Sequence, residues 1–342
     1  MTVVIPHQKK NILVLGGAGF IGSHLCEHLL HKGDNVICLD NFVSSDVENI
    51  KMMLEFPNFE FIRHDATEVI DFIKEPGLRK FKVHINGLQE IYNLACPTSP
   101  ADYTRLPIET ALANSYGTKV SLDIALKYKA KYLLASSSAV YGKAPEGSNV
   151  LTESYMGTVD FIGPRACYNE GKRFAEMLSS TYREHYTLNV SIARIFTTYG
   201  PRMAKSSGRF IPDMINNALR NQEIVIAGGA TVGSSLCYVK DMAEGLVALM
   251  HSDINASVNL GNDNFIMYHD VAEKIKAITG SKSAVSYTDS IPYSHQQAVP
   301  DITFAKEKLN WFPLVNIDEG LKQTIAYARS NYMDRPSIQQ YE

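Results

Sequence analysis

The segment Gly16-Gly17-Ala18-Gly19-Phe20-Ile21-Gly22 constrains this chain more than any other. It directly follows Asn11–Gly16 (NILVLG), whose apolar run reads as a fully buried strand, and it opens a helix expected from about Phe20 to His31. Gly16, Gly19 and Gly22 have the spacing G-x-x-G-x-x-G. Glycine permits the tight turn and lets backbone come close to a pyrophosphate. The helix start adds unsatisfied N–H groups and the positive end of its dipole. Phe20 and Ile21, in the first turn, join the three glycines as candidate dinucleotide contacts. A strand, a glycine turn and a helix in that order open a βαβ unit, so the fold class expected is α/β.

The alternation continues through the first two-thirds of the chain. Strands are expected at Asn35–Asp40, Phe59–His64, Glu90–Ala95, Tyr132–Ser136 and Val190–Phe196, with long helices over Ile108–Lys127 and Arg165–His185. That pattern predicts a Rossmann-like, doubly wound parallel sheet. The stretch 75–87 reads as a loop insertion. After Phe196 the rhythm breaks at Gly200-Pro201 and Ser206-Ser207-Gly208. Shorter elements follow, with helices near 212–220 and 239–250 and a strand near 224–227. Residues 1–197 are therefore expected to form a NAD-binding domain to which some later segments return, and 198–342 mainly a smaller substrate-binding lobe.

Asp40 ends the second strand, 18 residues after Gly22. Its carboxylate would accept hydrogen bonds from the adenosine ribose and repel a 2′-phosphate, so NAD is the expected cofactor. Asn41 beside it, Asp65 and Ala66 after the third strand, and Leu94 and Ala95 at the end of the fourth complete the predicted cofactor contacts. Composition narrows the partners. A net charge of −3 gives no basic surface for nucleic acid or an anionic membrane. The five cysteines are scattered, without zinc-ligand spacing or a disulfide framework, and no metal site is expected. No apolar run is long enough to span a bilayer, and Met1–Lys10 does not read as a secretory leader. A cytoplasmic enzyme acting on a small molecule is expected.

Tyr168 and Lys172 form Y-x-x-x-K on a predicted helix, so one face carries both side chains a turn apart. The ammonium, with the positive charge of oxidised nicotinamide, is expected to favour the phenolate and hold the tyrosine well below its usual value of about 10. Ser137, in the serine cluster ending the fifth strand, is the expected third catalytic residue, donating a hydrogen bond to the reacting substrate oxygen.

These residues lie within motifs that resemble the UDP-glucuronate decarboxylases (UDP-xylose synthases), part of the extended short-chain dehydrogenase group of nucleotide-sugar epimerases and dehydratases. GGAGFIGSHL, LDNF, RHDAT, NLACPTSPADY, SSSAVYG, GPRACYNEGKR, RIFTTYGPRM, CYVKDM and VNLGN carry the likeness along nearly the whole chain. The resemblance implies a Rossmann domain with a small C-terminal substrate domain, a homodimer built on the helices at 108–127 and 165–185, and a nucleotide-sugar substrate. It also implies oxidation of a sugar hydroxyl, usually at C4, by retained NAD. Tyr168 would be the base, Lys172 would bind the nicotinamide ribose, and Ser137 would assist. Tyr103, Ser138, Thr197, Arg202 and Arg209 are the candidate substrate contacts, with Lys205 nearby.

The likeness fails at the substrate end. The family glutamate of the strand-five motif is Ala139, the asparagine of its R-I-F-N is Thr197, and two arginines are Ser234 and Ala298. An arginine–phosphate contact contributes roughly 1.5–3 kcal/mol, so losing two should weaken a diphosphate substrate by about two to four decades unless other cations compensate. The absent glutamate also disfavours a 4,6-dehydratase, whereas small residues at 138 and 139 suit a 4-epimerase. Three outcomes stay open: an epimerase or oxidoreductase acting on a nucleotide sugar or related polyol, a UDP-glucuronate decarboxylase, and a non-catalytic NAD-binding sensor or partner subunit.

Overall fold

Ile12–Leu15 have no polar face, and every residue of the strand is buried. Such a strand must be covered on both sides, as in the middle of a parallel sheet. In the computed structural model, which describes residues 9–205, 207–289 and 298–332, it occupies that place. Met1–Gln8 and Ser206 lie outside the described residues, as do those parts of the leader and loop readings.

The first part of the chain comprises β1 (Asn11–Leu15), α1 (Phe20–His31), β2 (Asn35–Asp40), β3 (Phe59–Arg63), the short α2 (Val83–Asn86) and β4 (Glu90–Asn93). Next come α3 (Pro100–Arg105), α4 (Pro107–Leu112), α5 (Thr118–Tyr128), β5 (Lys131–Ser137), the two-residue β6 (Val150–Leu151), α6 (Ala166–Tyr186) and β7 (Val190–Ile195). After these lie β8 (Thr198–Tyr199), α7 (Phe210–Leu219), β9 (Ile224–Ala227), β10 (Gly233–Ser235), β11 (Cys237–Tyr238), α8 (Val239–His251) and β12 (Ser257–Leu260). The last described elements are β13 (Phe265–Met267), α9 (Tyr268–Thr279), β14 (Val285–Thr288), β15 (Val299–Pro300), α10 (Thr303–Leu309) and α11 (Ile317–Tyr332).

Seven parallel strands run in the order β12-β7-β5-β4-β1-β2-β3. The order reverses between β1 and β4, and ligands of such sheets bind in the crevice beyond the strand ends at that point. Alternate residues of β1 face opposite layers. Ile12 and Val14 pack with Leu25, Cys26 and Leu29 of α1 and with Met242 and Leu246 of α8. Leu13 and Leu15 pack with Val120 and Ile124 of α5 and with Ala175 and Tyr182 of α6. Each fully buried Ile or Leu contributes roughly 1.5–3 kcal/mol, so the sheet and its four helices form a stiff floor for whatever stands at its upper edge.

The chain returns to this sheet late. β12 pairs with β7, and α8 packs on α1 through the first of those two layers. A separate apolar cluster joins α7, α9, α11 and β9. Two sequence expectations need correcting. The helix expected over 108–127 is α4 and α5 separated by a π-turn at Ala113–Gly117. The stretch 75–87 is not a plain loop: it holds a 3-10 turn, Pro76–Phe81, and α2, because Leu78, Phe81 and Val83 have an apolar layer to enter.

Candidate active site

The glycine turn is shaped by backbone, not by side chains. Gly16 has φ +74°, and a Cβ there would lie 2.7 Å from the Leu94 carbonyl carbon, where β4 ends across the crevice. A Cβ on Gly22 would lie 2.2 Å from Gly16 O. Only hydrogen fits at either place. Gly19 N–H donates to Gly16 O at 3.1 Å, and Ser23 N–H returns to Gly19 O at 2.9 Å, which launches α1. Phe20 stands edge-on to the His24 ring, and Ile21 packs on the core beneath the turn.

Asp40 is buried and faces that turn. Its Oδ2 accepts the Ala18 N–H at 3.0 Å, while Oδ1 accepts Phe42 N–H at 2.9 Å and the Ser45 hydroxyl at 2.7 Å. Two carboxylate oxygens offer about four acceptor sites, so capacity remains for a further hydroxyl. Asn41 donates to Asp65 Oδ2 at 2.9 Å. Burial pushes the Asp65 carboxyl up, but hydrogen bonds from Thr67 and Asn41, with the nearby His64, hold it net below the ordinary value. Ala66 lies beside the Gly117 backbone of the π-turn, and the Ala95 N–H bonds Asn93 Oδ1 at 3.2 Å. The predicted cofactor residues thus form a continuous line along the edges of β1, β2, β3 and β4. A glycine cradle that Cβ atoms would fill, beside an acidic strand end, fits a dinucleotide.

Tyr168 and Lys172 occupy one face of α6, and both are buried. Lys172 Nζ donates to Ala135 O at 2.8 Å and lies 6.0 Å from the Tyr168 ring centroid. Ser137, at the end of β5, stands beside the Tyr168 phenol and acts to lower its pKa. The Tyr103 ring stacks on Tyr168 at 5.5 Å, and the Arg165 guanidinium lies 5.7 Å from the Tyr103 centroid. The protein groups alone do not produce the lowering expected of Lys172 together with oxidised nicotinamide. Burial, reinforced by Cys96, moves the phenol upward, and Ser137, with the charges of Arg209 and Arg165, only partly opposes this. With the protein groups alone, the tyrosine is protonated at neutral pH.

The residues expected at the substrate end separate into two groups. Thr197 follows β7 and accepts the Ser234 hydroxyl at 3.0 Å, and Ser234 also hydrogen-bonds Tyr268. Ala298 packs against Val140, Tyr141 and Phe196, next to Ser138 and Ala139 in the turn after β5. The four departures from the family motifs therefore lie along one strip. Arg209 adjoins it, half-buried, with Nη2 donating to Thr98 O and Oγ1 at 3.2 and 3.0 Å. Desolvation lowers its pKa while Tyr168, Tyr103, Asp102 and Tyr268 act the other way, which puts its charge beside the two stacked tyrosines. Arg202 stands apart: it pairs with Glu27 of α1 at 2.7 Å, because its left-handed backbone (φ +67°) turns it onto that helix. The structure does not bring Arg202 to the tyrosines.

Several residues at the site carried no local signal. Asn114, buried in the π-turn, donates to Cys96 Sγ at 3.1 Å and Thr110 O at 2.9 Å. Gly171, between Tyr168 and Lys172, keeps that contact open, since a Cβ there would lie 3.0 Å from Asn114 Nδ2. An asparagine on a helix face otherwise facing the core was the available clue, and π-turns are frequent at functional sites. Tyr268, buried and stacked on Phe210 at 4.2 Å, lies 100 residues from Tyr168 and had no motif.

Comparison with known proteins places this arrangement. The family model described as the NAD dependent epimerase/dehydratase family matches residues 12–261. UDP-glucuronic acid decarboxylase 6 of Arabidopsis thaliana is 40% identical over 315 residues, covering 92% of this chain and 87% of that protein. UDP-glucuronic acid decarboxylase 1 of Xenopus tropicalis is 39% identical over 322 residues, covering 94% and 73%. Among solved structures, UDP-glucose 4-epimerase of Thermotoga maritima with UDP-glucose superposes with TM-score 0.81 at 28% identity, covering 94% of this chain and 99% of that one. UDP-glucuronic acid 4-epimerase of Bacillus cereus, in complex with UDP-glucuronic acid and NAD, gives 0.79 at 26% identity, covering 94% and 100%. Glycine cradle, acidic strand end, tyrosine–lysine face and these likenesses agree that the chain is an enzyme of the NAD dependent epimerase/dehydratase family, of the extended short-chain dehydrogenase type, with NAD as its cofactor.

Proposed function

We propose that this enzyme oxidises or reduces a ring hydroxyl, at C4, of a nucleotide sugar or related polyol by hydride transfer, as an epimerase that returns the hydride in the same site or as an oxidoreductase that does not. The observation that carries the reading is the convergence of Ser137, Tyr168 and Lys172 where β5 meets α6, with only a methyl group at Ala139. NAD, when bound, supplies the hydride acceptor and a positive charge. Tyr168 Oη takes the hydroxyl proton and later returns it, while Ser137 Oγ holds the same substrate oxygen. Positive charge entering beside the phenol lowers its pKa, which the buried pocket alone leaves high. Lys172 holds the nicotinamide ribose. Gly16, Gly19, Phe20, Ile21 and Gly22 receive the pyrophosphate, Asp40 and Asn41 the adenosine ribose, Asp65 and Ala66 the adenine, and Leu94 and Ala95 the nicotinamide side. Tyr103, Ser138, Thr197 and Arg209 face the substrate. Arg202, drawn onto Glu27, is left out of this set.

Decarboxylation of UDP-glucuronate is the second reading, favoured by 40% identity over 315 residues to a UDP-glucuronic acid decarboxylase. One incubation separates the two. With NAD and UDP-glucuronate, UDP-glucose or UDP-N-acetylglucosamine, mass spectrometry and NMR should find an isomer of unchanged mass for an epimerase, or a keto sugar two hydrogens lighter with NADH formed for an oxidoreductase. A UDP-pentose would replace the first reading by the second. No turnover of any sugar nucleotide or cyclitol would overturn both.

We further infer a homodimer. Ile108, Leu112 and Tyr116 along α4 and the π-turn, with Phe174 and Met177 on the packed α6, leave large apolar groups exposed on two neighbouring helices. Light scattering should give twice the chain mass, and Phe174→Glu with Met177→Glu should give one chain mass. Five free cysteines suit a reducing cytoplasmic setting, and among the described residues no helix is long and apolar enough to cross a membrane.

A further inference from the structure

Three consecutive residues at the end of β5 each engage a different residue of α6. Ala135 O accepts from Lys172 Nζ at 2.8 Å, Ser136 Oγ donates to Glu176 Oε1 at 2.5 Å, and Ser137 stands beside the Tyr168 phenol. Tyr168, Lys172 and Glu176 recur every four residues, so one helix face presents all three. Two of them belong to the chemistry proposed above. Glu176 instead faces inward, to Arg194 of β7.

That pair is bidentate. Arg194 Nη2 lies 2.7 Å from Glu176 Oε2, and Nε lies 3.0 Å from Oε1, with the side chains only 14% and 12% exposed. Ser136 and Arg194 are register partners on adjacent strands, and Arg194 is in turn the partner of Asn259 on β12. One polar row therefore crosses three strands under the pocket. The row also reaches the turn that begins at Ser137. Arg194 Nη1 donates to Tyr141 Oη at 2.9 Å, and Tyr141 Oη donates to Asn259 Oδ1 at 2.6 Å. Asn259 Nδ2 fixes the far end on Leu151 O and Asp301 O, at 2.9 and 3.2 Å.

A buried ion pair is a poor source of stability, because desolvation cancels most of its attraction. What a two-pronged, charge-assisted pair does supply is a fixed angle and distance between the elements bearing it. Here those elements are α6, which bears Tyr168 and Lys172, and β7, joined through Tyr141 to the turn that bears Ser137. We propose that the Glu176–Arg194 pair, acting through Tyr141, is a positioning device that sets Ser137 and Lys172 against Tyr168 and so tunes proton transfer at the phenol. This rests on the reading of Tyr168 as the proton-transfer group. The groups facing Tyr168 are Cys96 after β4, Tyr103 on α3, Ser137 on β5, Arg165 and Lys172 at α6, and Arg209 at the start of α7. Glu176 and Arg194 act on Tyr168 through Ser137 and Lys172.

The test follows the ionisation of Tyr168 in the NAD-loaded protein, by ultraviolet difference titration with the Tyr168→Phe curve subtracted. Glu176→Gln, Arg194→Lys and Tyr141→Phe are compared with the wild type. Loosening the Ser137 contact removes a group that lowers the phenol's pKa. All three variants should therefore titrate higher by half a pH unit or more, with turnover down tenfold or more and KM within twofold. Tyr141→Phe keeps both ions of the pair and one ring shape, so it carries the test if a charge variant fails to fold. A Tyr168 step that stays at the wild-type pH in folded Tyr141→Phe and Arg194→Lys, even with lowered thermal midpoints, would overturn the proposal and leave the network a structural one. No Tyr168-dependent step in the wild type would overturn the proton-transfer reading, and this proposal with it.

Discussion

The upper ends of β1 and β7 lie on the same edge of one sheet, yet they prepare their sites by opposite means. After β1 the site is made of backbone: Gly16 and Gly22 exist as glycines because a Cβ would strike main-chain atoms at 2.7 and 2.2 Å. After β7 it is made of side chains: Thr197 accepts from Ser234, which is tied to Tyr268, and each of these could be another residue without moving the main chain. A backbone-built site tolerates one residue type per position and leaves a spacing in the sequence. A side-chain-built site can be rewritten while the fold stays, which is where one family can house several reactions. The redox residues belong to the first kind in placement, since Ala135 O and the end of β5 hold them, and to the second in chemistry.

The strongest way to break this comparison is at Tyr168. Tyr168→Phe should lower turnover by about two to four orders of magnitude, the range of a lost general acid–base group, and leave NAD affinity within a few-fold. Steady-state rates and fluorescence titration with NADH measure the two. Equal loss of both would mean that the phenol serves cofactor binding, and the division between the two ends would fail.

Acid should then pull the regions in opposite directions. On α1, burial chiefly, with the Arg202 charge adding, depresses His24 from 6.5 to about 4. A group depressed in the fold contributes stability that is whole above its unfolded pKa and is lost as pH falls through the folded one. His24 should therefore cost about 3 kcal/mol between pH 6.5 and 4. On α7, burial raises Asp213 from 3.8 to about 6, so its contribution is present below 3.8 and is lost as pH rises through 6. Hydrogen exchange at pH 7 and 5 should find α1 amides less protected in acid and α7 amides more so, and His24→Gln should abolish the first change alone.

Legibility followed the same division. The ranges of α1 and β2 were read from local pattern, and so was the face shared by Tyr168 and Lys172, because burial periodicity and clash both act over a few residues. The contacts that join distant segments were not. Ser136 meets Glu176 across 40 residues, Tyr141 meets Asn259 across 118, and Arg202 is captured by Glu27 across 175. A sequence presents Arg202 as one more cation near a Gly-Pro turn, and only the packing of α1 reveals its partner. The π-turn at Ala113–Gly117 was hidden for another reason: one extra residue in a helical turn leaves the apolar rhythm on both sides intact.

Gly22→Ala tests the backbone side directly. Its methyl would meet Gly16 O at 2.2 Å, which the turn can relieve only by opening. Such overpacking costs about 1–3 kcal/mol, and if the strain falls on the cradle, NAD should bind roughly ten- to a hundredfold more weakly by calorimetry. Weak NAD binding with unchanged thermal stability of the free protein would place the strain in the bound state, where the comparison requires it.

Ser234→Arg tests the side-chain side, and its effect should be the smallest. Ser234 is buried and spends its hydroxyl on Thr197 and the Ser235 carbonyl, at 3.0 and 3.1 Å. A guanidinium there must displace the first bond and point along the strip toward Ala298, bringing a charge where the family resemblance expects one. One charge-assisted phosphate contact contributes roughly 1.5 kcal/mol at the low end, so uridine diphosphate should bind about tenfold more tightly than to the wild type. Thr197→Asn, a change of similar volume in the same strip, gives a milder version if the arginine disturbs the lobe. Unchanged affinity in both, together with a large loss in Arg209→Ala, would mean that Arg209 already supplies the missing charge from the start of α7. The strip that holds Ser234 and Ala298 would then have lost its cations because a neighbour took over their task, and the apparent rebuilding would be a relocation within the same pocket.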